Sequence, residues 1–343
     1  MEEKKETPET ESVKEEKVEE VAEVKAPKLE VAPSVIDITP IGEDEPTYVD
    51  TIEEARIALH DKFGKTKLIS RILSIVVIAL LIAALILVVQ EPAICKIFGY
   101  IIAGVVLVGM LAFYIVTRKQ FPNESKNYIK TITTAMNRHI YGDKKYSEVK
   151  YDSKEKYSMP DVLADRVYKD VIDIGSRNIV HGRFNNAPFT AGELAIYVAG
   201  QKRNSKTVCF LGYYGSRENN SHFEGRYIIT KVGKGEKPSD LPTDIDDLTC
   251  LFDEDGFHIF GSKDADYKKD LGSKFLSALK AIKVENCFLN LNVVVSAGRT
   301  AFYMSYDDSL MGLPFEKPFD PACRNQFTRD LLETLDATEL LRE

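Results

Sequence analysis

Two long apolar runs interrupt an otherwise polar first third of the chain. Ile72 to Val89, ILSIVVIALLIAALILVV, and Ile97 to Val116, IFGYIIAGVVLVGMLAFYIV, hold no charged residue. A helix rises about 1.5 Å per residue and needs roughly 18 to 20 apolar residues to cross about 30 Å of hydrocarbon. A helix buried in a soluble domain seldom stays apolar on every face for that length. The pattern predicts two membrane-spanning helices, 72–89 and 97–116, joined by an external loop at 90–96. Pro92 suits that loop because it cannot continue the first helix. Upstream, Thr51 and Glu54 have capping-box spacing, which predicts a juxtamembrane helix over 51–71. Downstream, Ile129, Ile132, Met136 and Ile140 recur at helical spacing, so 117–158 reads as a second juxtamembrane helix with its linker.

From Met159 onward the pattern changes to short β-rich runs separated by turns. RFNNAPF, FDEDGFHIF and VVVSAGRTAFYMS are predicted hairpins, since Asn and Asp-Gly tolerate positive φ. YKKDLGSKFLSALKAI sets Phe275, Leu276, Leu279 and Ile282 on one helical face, and a terminal helix does the same with Phe327, Leu331, Leu332 and Leu335. The expected fold class is α+β: a two-helix transmembrane hairpin, then a domain over 159–343 built on an antiparallel sheet with flanking helices. Alternation and helix faces nominate its core as Phe184, Phe189, Leu194, Phe210, Tyr227, Ile229, Phe252, Phe260, Phe275, Leu279, Phe288 and Phe302.

Charge sorts the segments further. Residues 1–50 carry sixteen acidic residues against six lysines, a net of −10, which leaves +2 for the rest of a chain whose total is −8. Rich in Glu, Lys, Val and Pro, and without an aromatic residue before Tyr48, this tail cannot bury enough apolar surface to offset chain entropy and is predicted disordered. Lys62, Lys65, Lys67 and Arg71 precede the first span, and Arg118, Lys119, Lys126 and Lys130 follow the second. The loop holds only Lys96, offset by Glu91. Positive charge on the inner flanks predicts a multi-pass cell-membrane protein with both termini cytoplasmic. Membrane lipids are then the first expected partners. Each basic residue near an anionic leaflet gains roughly 1 kcal/mol, so Lys62, Lys65, Lys67, Arg71, Arg118 and Lys119 are the lipid-facing candidates. Gly99 and Ala103 form a small-xxx-small pair suited to packing one span on the other.

The order of motifs in the second half carries a resemblance. Gly182-Arg-Phe, Ala-Pro-Phe and Gly-Glu193-Leu come first, then Phe223-Glu-Gly-Arg-Tyr-Ile-Ile. Leu-Phe252, Gly-Phe-His-Ile-Phe and Phe275-Leu-Ser-Ala-Leu follow, with Thr-Ala-Phe-Tyr-Met-Ser and Leu-Pro-Phe315-Glu last. This order resembles the bacterial family catalogued as domain of unknown function 3137, over roughly Arg71 to Leu340. The resemblance implies a two-span hairpin ahead of a cytosolic α+β region. It implies no catalytic residue, because that family has no assigned activity. The segment 251–276 departs from it by extra acidic and basic residues.

Sought residue by residue, chemistry is scarce. Five cysteines, Cys95, Cys209, Cys250, Cys287 and Cys323, include no CxxC pair, and the five histidines are singletons. Reduced core thiols and no zinc site are expected. FGKTK ends like a phosphate loop but has Leu59 where the first Gly belongs, and no strand precedes it. DIDDLTCLFDED has Thr249 where a calcium loop needs Gly, and Asp255 in place of the bidentate Glu. No cofactor and no nucleic acid are expected. Two functions remain: a non-enzymatic binding or scaffold module whose cytosolic domain takes a protein partner, and a membrane-associated enzyme with His181, Glu193, Glu224 and Arg226 meeting on neighbouring strands. A channel or transporter is disfavoured, because neither span holds a charge that would mark a pathway.

Overall fold

The computed structural model describes residues 35–37, 47–89, 92–201, 205–233, 241–307 and 318–341, with side chains described at all of these except 35–37, 62–71 and 112–127. Helix α1 (Tyr48–Val89) runs unbroken through the predicted juxtamembrane helix and the first apolar run. Helix α2 (Ala93–Ile140) likewise joins the second run to the helix beyond it, continuing past Pro122, which lacks one backbone donor. The cap of α1 lies one turn earlier than predicted. Thr47 Oγ1 accepts from the Asp50 amide at 3.2 Å and donates to the Asp50 carboxylate at 2.6 Å. That earlier start has a packing cause: Tyr48 and Ile52, one turn apart, are both buried in the core of the sheet domain.

Two segments, Ile72–Val89 and Ala93–Leu111, are long and apolar enough to cross a membrane. Their large side chains point outward, with Ile75, Leu85, Val105 and Leu107 all exposed. Ala84 and Val106 are buried. A Cβ on Gly99 would fall 2.6 Å from Val88 Cγ2 and 2.8 Å from the Ala84 carbonyl. The absent side chain therefore lets α2 approach α1 closely, as the small-residue spacing predicts. Of the proposed acidic tail, β1 (Val35–Asp37) and the start of α1 are described; the remainder of 1–46 lies outside the described residues.

Nine further strands follow: β2 (Tyr146–Asp152), β3 (Val171–Phe184), β4 (Ala187–Ala199), β5 (Lys206–Glu218), β6 (Arg226–Val232), β7 (Thr249–Glu254), β8 (Phe257–Gly261), β9 (Phe288–Ser296) and β10 (Arg299–Tyr306). With β1 they make one antiparallel sheet in the order β1, β2, β3, β4, β5, β10, β9, β6, β8, β7. Two predicted hairpins turn on residue pairs in the left-handed region, Asn185 (φ 47°) with Asn186 (φ 65°), and Asp255 (φ 50°) with Gly256 (φ 75°). That geometry matches the right-handed twist of the flanking strands.

Helices cover one face. The start of α1, the end of α2, α5 (Ser273–Ala281) and α6 (Ala322–Glu339) bury Ile52, Met136, Phe275, Leu279, Phe327 and Leu331 against Phe189, Tyr213, Val293 and Phe302. The predicted single helix at 267–282 is two, because Gly272 (φ 75°) separates α4 (Tyr267–Leu271) from α5. The opposite face packs Leu194, Phe210, Val294 and Tyr303 under α3 (Met159–Leu163) and the loops around Val167 and Leu248. The fold is α+β, as expected. Of the predicted core, only Phe252 and Phe260 are half-buried; both lie on the outer strands β7 and β8, where fewer neighbours cover them.

Candidate functional site

The course of α2 over the sheet fixes which end of the domain faces the apolar segments. Thr133 is hydrogen-bonded to Tyr151 on β2, and two turns later the Tyr141 ring lies 5.9 Å from Phe189 at the start of β4, its hydroxyl bonded to Tyr213. Moving from α2 toward the apolar run thus means moving along β4 toward its C-terminal end. At that end, on the helix-covered face, lies a cavity of about 310 Å³ lined by Gly175, Arg177, Glu193, Ala195, Tyr197, Leu211 and Tyr306 among others.

Strand pairing assembles it. Arg177 sits opposite Glu193, Gly175 opposite Ala195, and Ala195 opposite Leu211, so three strands present one surface. The floor is aliphatic and aromatic, and Leu211 is 57 % exposed. The polar end is an ion pair between Arg177 Nε and the Glu193 carboxylate. Asn178 Nδ2 also donates to Glu193 at 3.1 Å, and its own Oδ1 accepts from Tyr151 at 3.0 Å. A carboxylate held by a guanidinium and an amide is oriented and charge-compensated. It sets a polar group beside an apolar floor. Val208, 46 % exposed, pairs with Tyr197 and extends that floor toward the tip of the β4–β5 hairpin.

The structure distributes the four enzyme candidates. Val180 and Ala191 point into the helix-side core, so His181, which pairs with Thr190, points to the other face. There its Nε2 lies 2.6 Å from Glu155 and its Nδ1 3.0 Å from Thr190 Oγ1. Glu193, two residues beyond Ala191, stays on the helix side. Glu224 is exposed before β6. Arg226 ties the loop around Asp244 to the sheet, donating to the Asp244 carbonyl at 2.7 Å and to Asp247 at 2.8 Å. Three strands separate β4 from β6, about 19 Å at the usual strand spacing. Glu193 alone of the four lines the cavity. The lipid-facing candidates Lys62, Lys65, Lys67, Arg71, Arg118 and Lys119 lie among residues whose side chains are not described.

Sequence reasoning passed over Arg177, Tyr197, Leu211 and Tyr306. A usable signal existed at 208–211: with Phe210 inward, Leu211 must point to the other face, and period two marks it as an apolar residue needing cover. The remaining polar networks hold the fold together. Asp165, buried at 4 % exposure, accepts from Tyr214 and Tyr303 at 2.9 Å and from Arg299 at 3.0 Å. Burial pushes its carboxyl above the ordinary range despite the opposing Arg299 charge. The network clamps the segment after α3 onto β5 and β10. Among the described residues no cluster of His, Cys, Asp and Glu has the arrangement of a metal site.

No protein-family model matches the chain, and no curated protein matches it. The likeness to domain of unknown function 3137 therefore rests on motif order alone. Among solved structures, the crystal structure of the mycobacterial trehalose monomycolate transport factor A, TtfA, is similar at 13 % sequence identity and a TM-score of 0.31, over 56 % of this chain and 88 % of that one. A TM-score of that size does not establish a common fold.

Proposed function

We propose that the protein is a membrane-anchored, non-enzymatic binding module that takes a protein partner at the cleft over β3, β4 and β5. The carrying observation is the cleft's make-up: an apolar floor of exposed Leu211 with half-buried Ala195 and Tyr197, beside the compensated Arg177–Glu193 pair. Exposed leucine and valine flanking a polar anchor suit recognition of an amphipathic segment. In this proposal the two spans hold the module at the cell membrane with both termini in the cytoplasm. The resemblance of motif order to the domain of unknown function 3137 family implies such an arrangement.

The test places a photo-crosslinking residue at Val208, beside the floor, and at exposed Leu163 on the opposite face. A discrete cross-linked product from position 208, absent from position 163 and lost on Leu211→Asp, is expected. Equal products from both positions, unaffected by Leu211→Asp, would contradict the proposal.

A further inference from the structure

Of the five cysteines, two meet. Cys287 stands in the turn that opens β9, and Cys323 lies in the first turn of α6. The Cys287 thiol is within hydrogen-bonding reach of Cys323, and its Sγ also lies 3.2 Å from Gln326 Oε1. Gln326 is three residues beyond Cys323, so both side chains share one face of α6. Gln326 Nε2 then donates to the Glu285 carbonyl at 2.7 Å, strapping the turn to that face. A second restraint comes from the Asp307 amide, which donates to the Cys287 carbonyl at 3.0 Å. The Tyr306 ring stacks on Phe288, the residue after Cys287, with centroids 4.9 Å apart. The two thiols are thus held together from both sides, and neither is fully buried.

The geometry points to Cys287 and Cys323 as an oxidation-sensitive dithiol that closes to an intramolecular disulfide when hydrogen peroxide reaches it. One thiolate sulfur attacks the peroxide O–O bond, forming a sulfenic acid and releasing water after proton transfer. The second thiol then displaces hydroxide from that sulfur, which leaves as a second water while the S–S bond forms. The peroxide is reduced by two electrons and the dithiol is oxidised by two. The new bond would join the start of β9 to the start of α6 across the chain that includes Tyr306, which lines the cleft. Cross-linking across so long a loop restricts the unfolded chain and raises the melting temperature.

The experiment uses the full chain in mild detergent, treated with hydrogen peroxide, then alkylated and digested. The expected product is a peptide pair joining Cys287 and Cys323, lighter by two hydrogen atoms, reversed by dithiothreitol, with a higher melting temperature before reduction. Cys287→Ser and Cys323→Ser should each abolish that peptide pair while Cys250→Ser leaves it, and the unoxidised melting temperature of each variant reports that it is folded. If folded wild-type protein yields only singly oxidised or freely alkylated Cys287 and Cys323, or links them to other cysteines or other chains, the inference fails.

Discussion

Asp330 on α6 is almost wholly buried, takes a hydrogen bond from Tyr306 at 3.2 Å, and lies 3.4 Å from Arg329. Burial outweighs the Arg329 charge and pushes its carboxyl from 3.8 to about 6. Below the unfolded value the group is protonated in both states and costs nothing. Between that value and about 6 the folded protein alone holds the proton, so stability falls as pH rises across this window and levels off above it. Each unit is worth about 1.4 kcal/mol, which puts the loss at order 2 to 3 kcal/mol at most. Asp330→Asn keeps an acceptor for Tyr306 and is expected to raise the melting temperature at pH 8 but not at pH 4. An equal effect at both would place the cause elsewhere. Gly215 illustrates a steric demand at the same scale. It pairs with Phe302, and a Cβ there would fall 2.2 Å from the ring. Gly215→Ala should destabilise the domain by about 1 to 3 kcal/mol in denaturant titration, the usual cost of overpacking.

At the scale of elements, the hairpin of α1 and α2 depends on Gly99 and not on every small residue near it. Gly104 and Gly109 have open space where a Cβ would go. Gly99→Leu is therefore expected to increase the distance between spin labels on the two helices, whereas Gly104→Leu leaves it unchanged; equal responses would mean that the helices do not meet at Gly99. The same contrast shows what was legible from residues. Local rules found the two apolar helices, the Asn185-Asn186 and Asp255-Gly256 turns, and α6, because each is decided by near neighbours. They misplaced the cap of α1 by one turn and merged α4 with α5. Tyr48 is drawn in by Asn325 and His139 far along the chain, and Gly272 adopts a backbone state that helical periodicity does not register. The cleft was illegible for the same cause. Arg177, Leu211 and Tyr306 meet only through strand pairing, and β10 inserts beside β5 by a non-sequential crossover.

At the scale of the molecule, the two long helices do two jobs. Their apolar segments turn large side chains outward, and their domain-side ends, Tyr48 and Ile52 on α1 and Ile132, Met136 and Ile140 on α2, are part of the sheet domain's core. From Ala112 to Ile132 the helix α2 continues for twenty residues, a rise of about 30 Å. The cleft thus sits at the end of the sheet nearest the apolar segments and is separated from them by a helical stalk. All of this depends on the two apolar segments crossing the bilayer as a hairpin. Native cysteines test that directly: Cys95 lies in the first turn of α2, at the end of the second apolar segment next to the first, and Cys250 is exposed on β7. Variants keeping only one of these, together with a third carrying only Thr47→Cys, would be labelled in sealed vesicles with a membrane-impermeant maleimide. The account predicts that Cys250 and position 47 react from one side and Cys95 only from the other; labelling of Cys95 and Cys250 from the same side would contradict it.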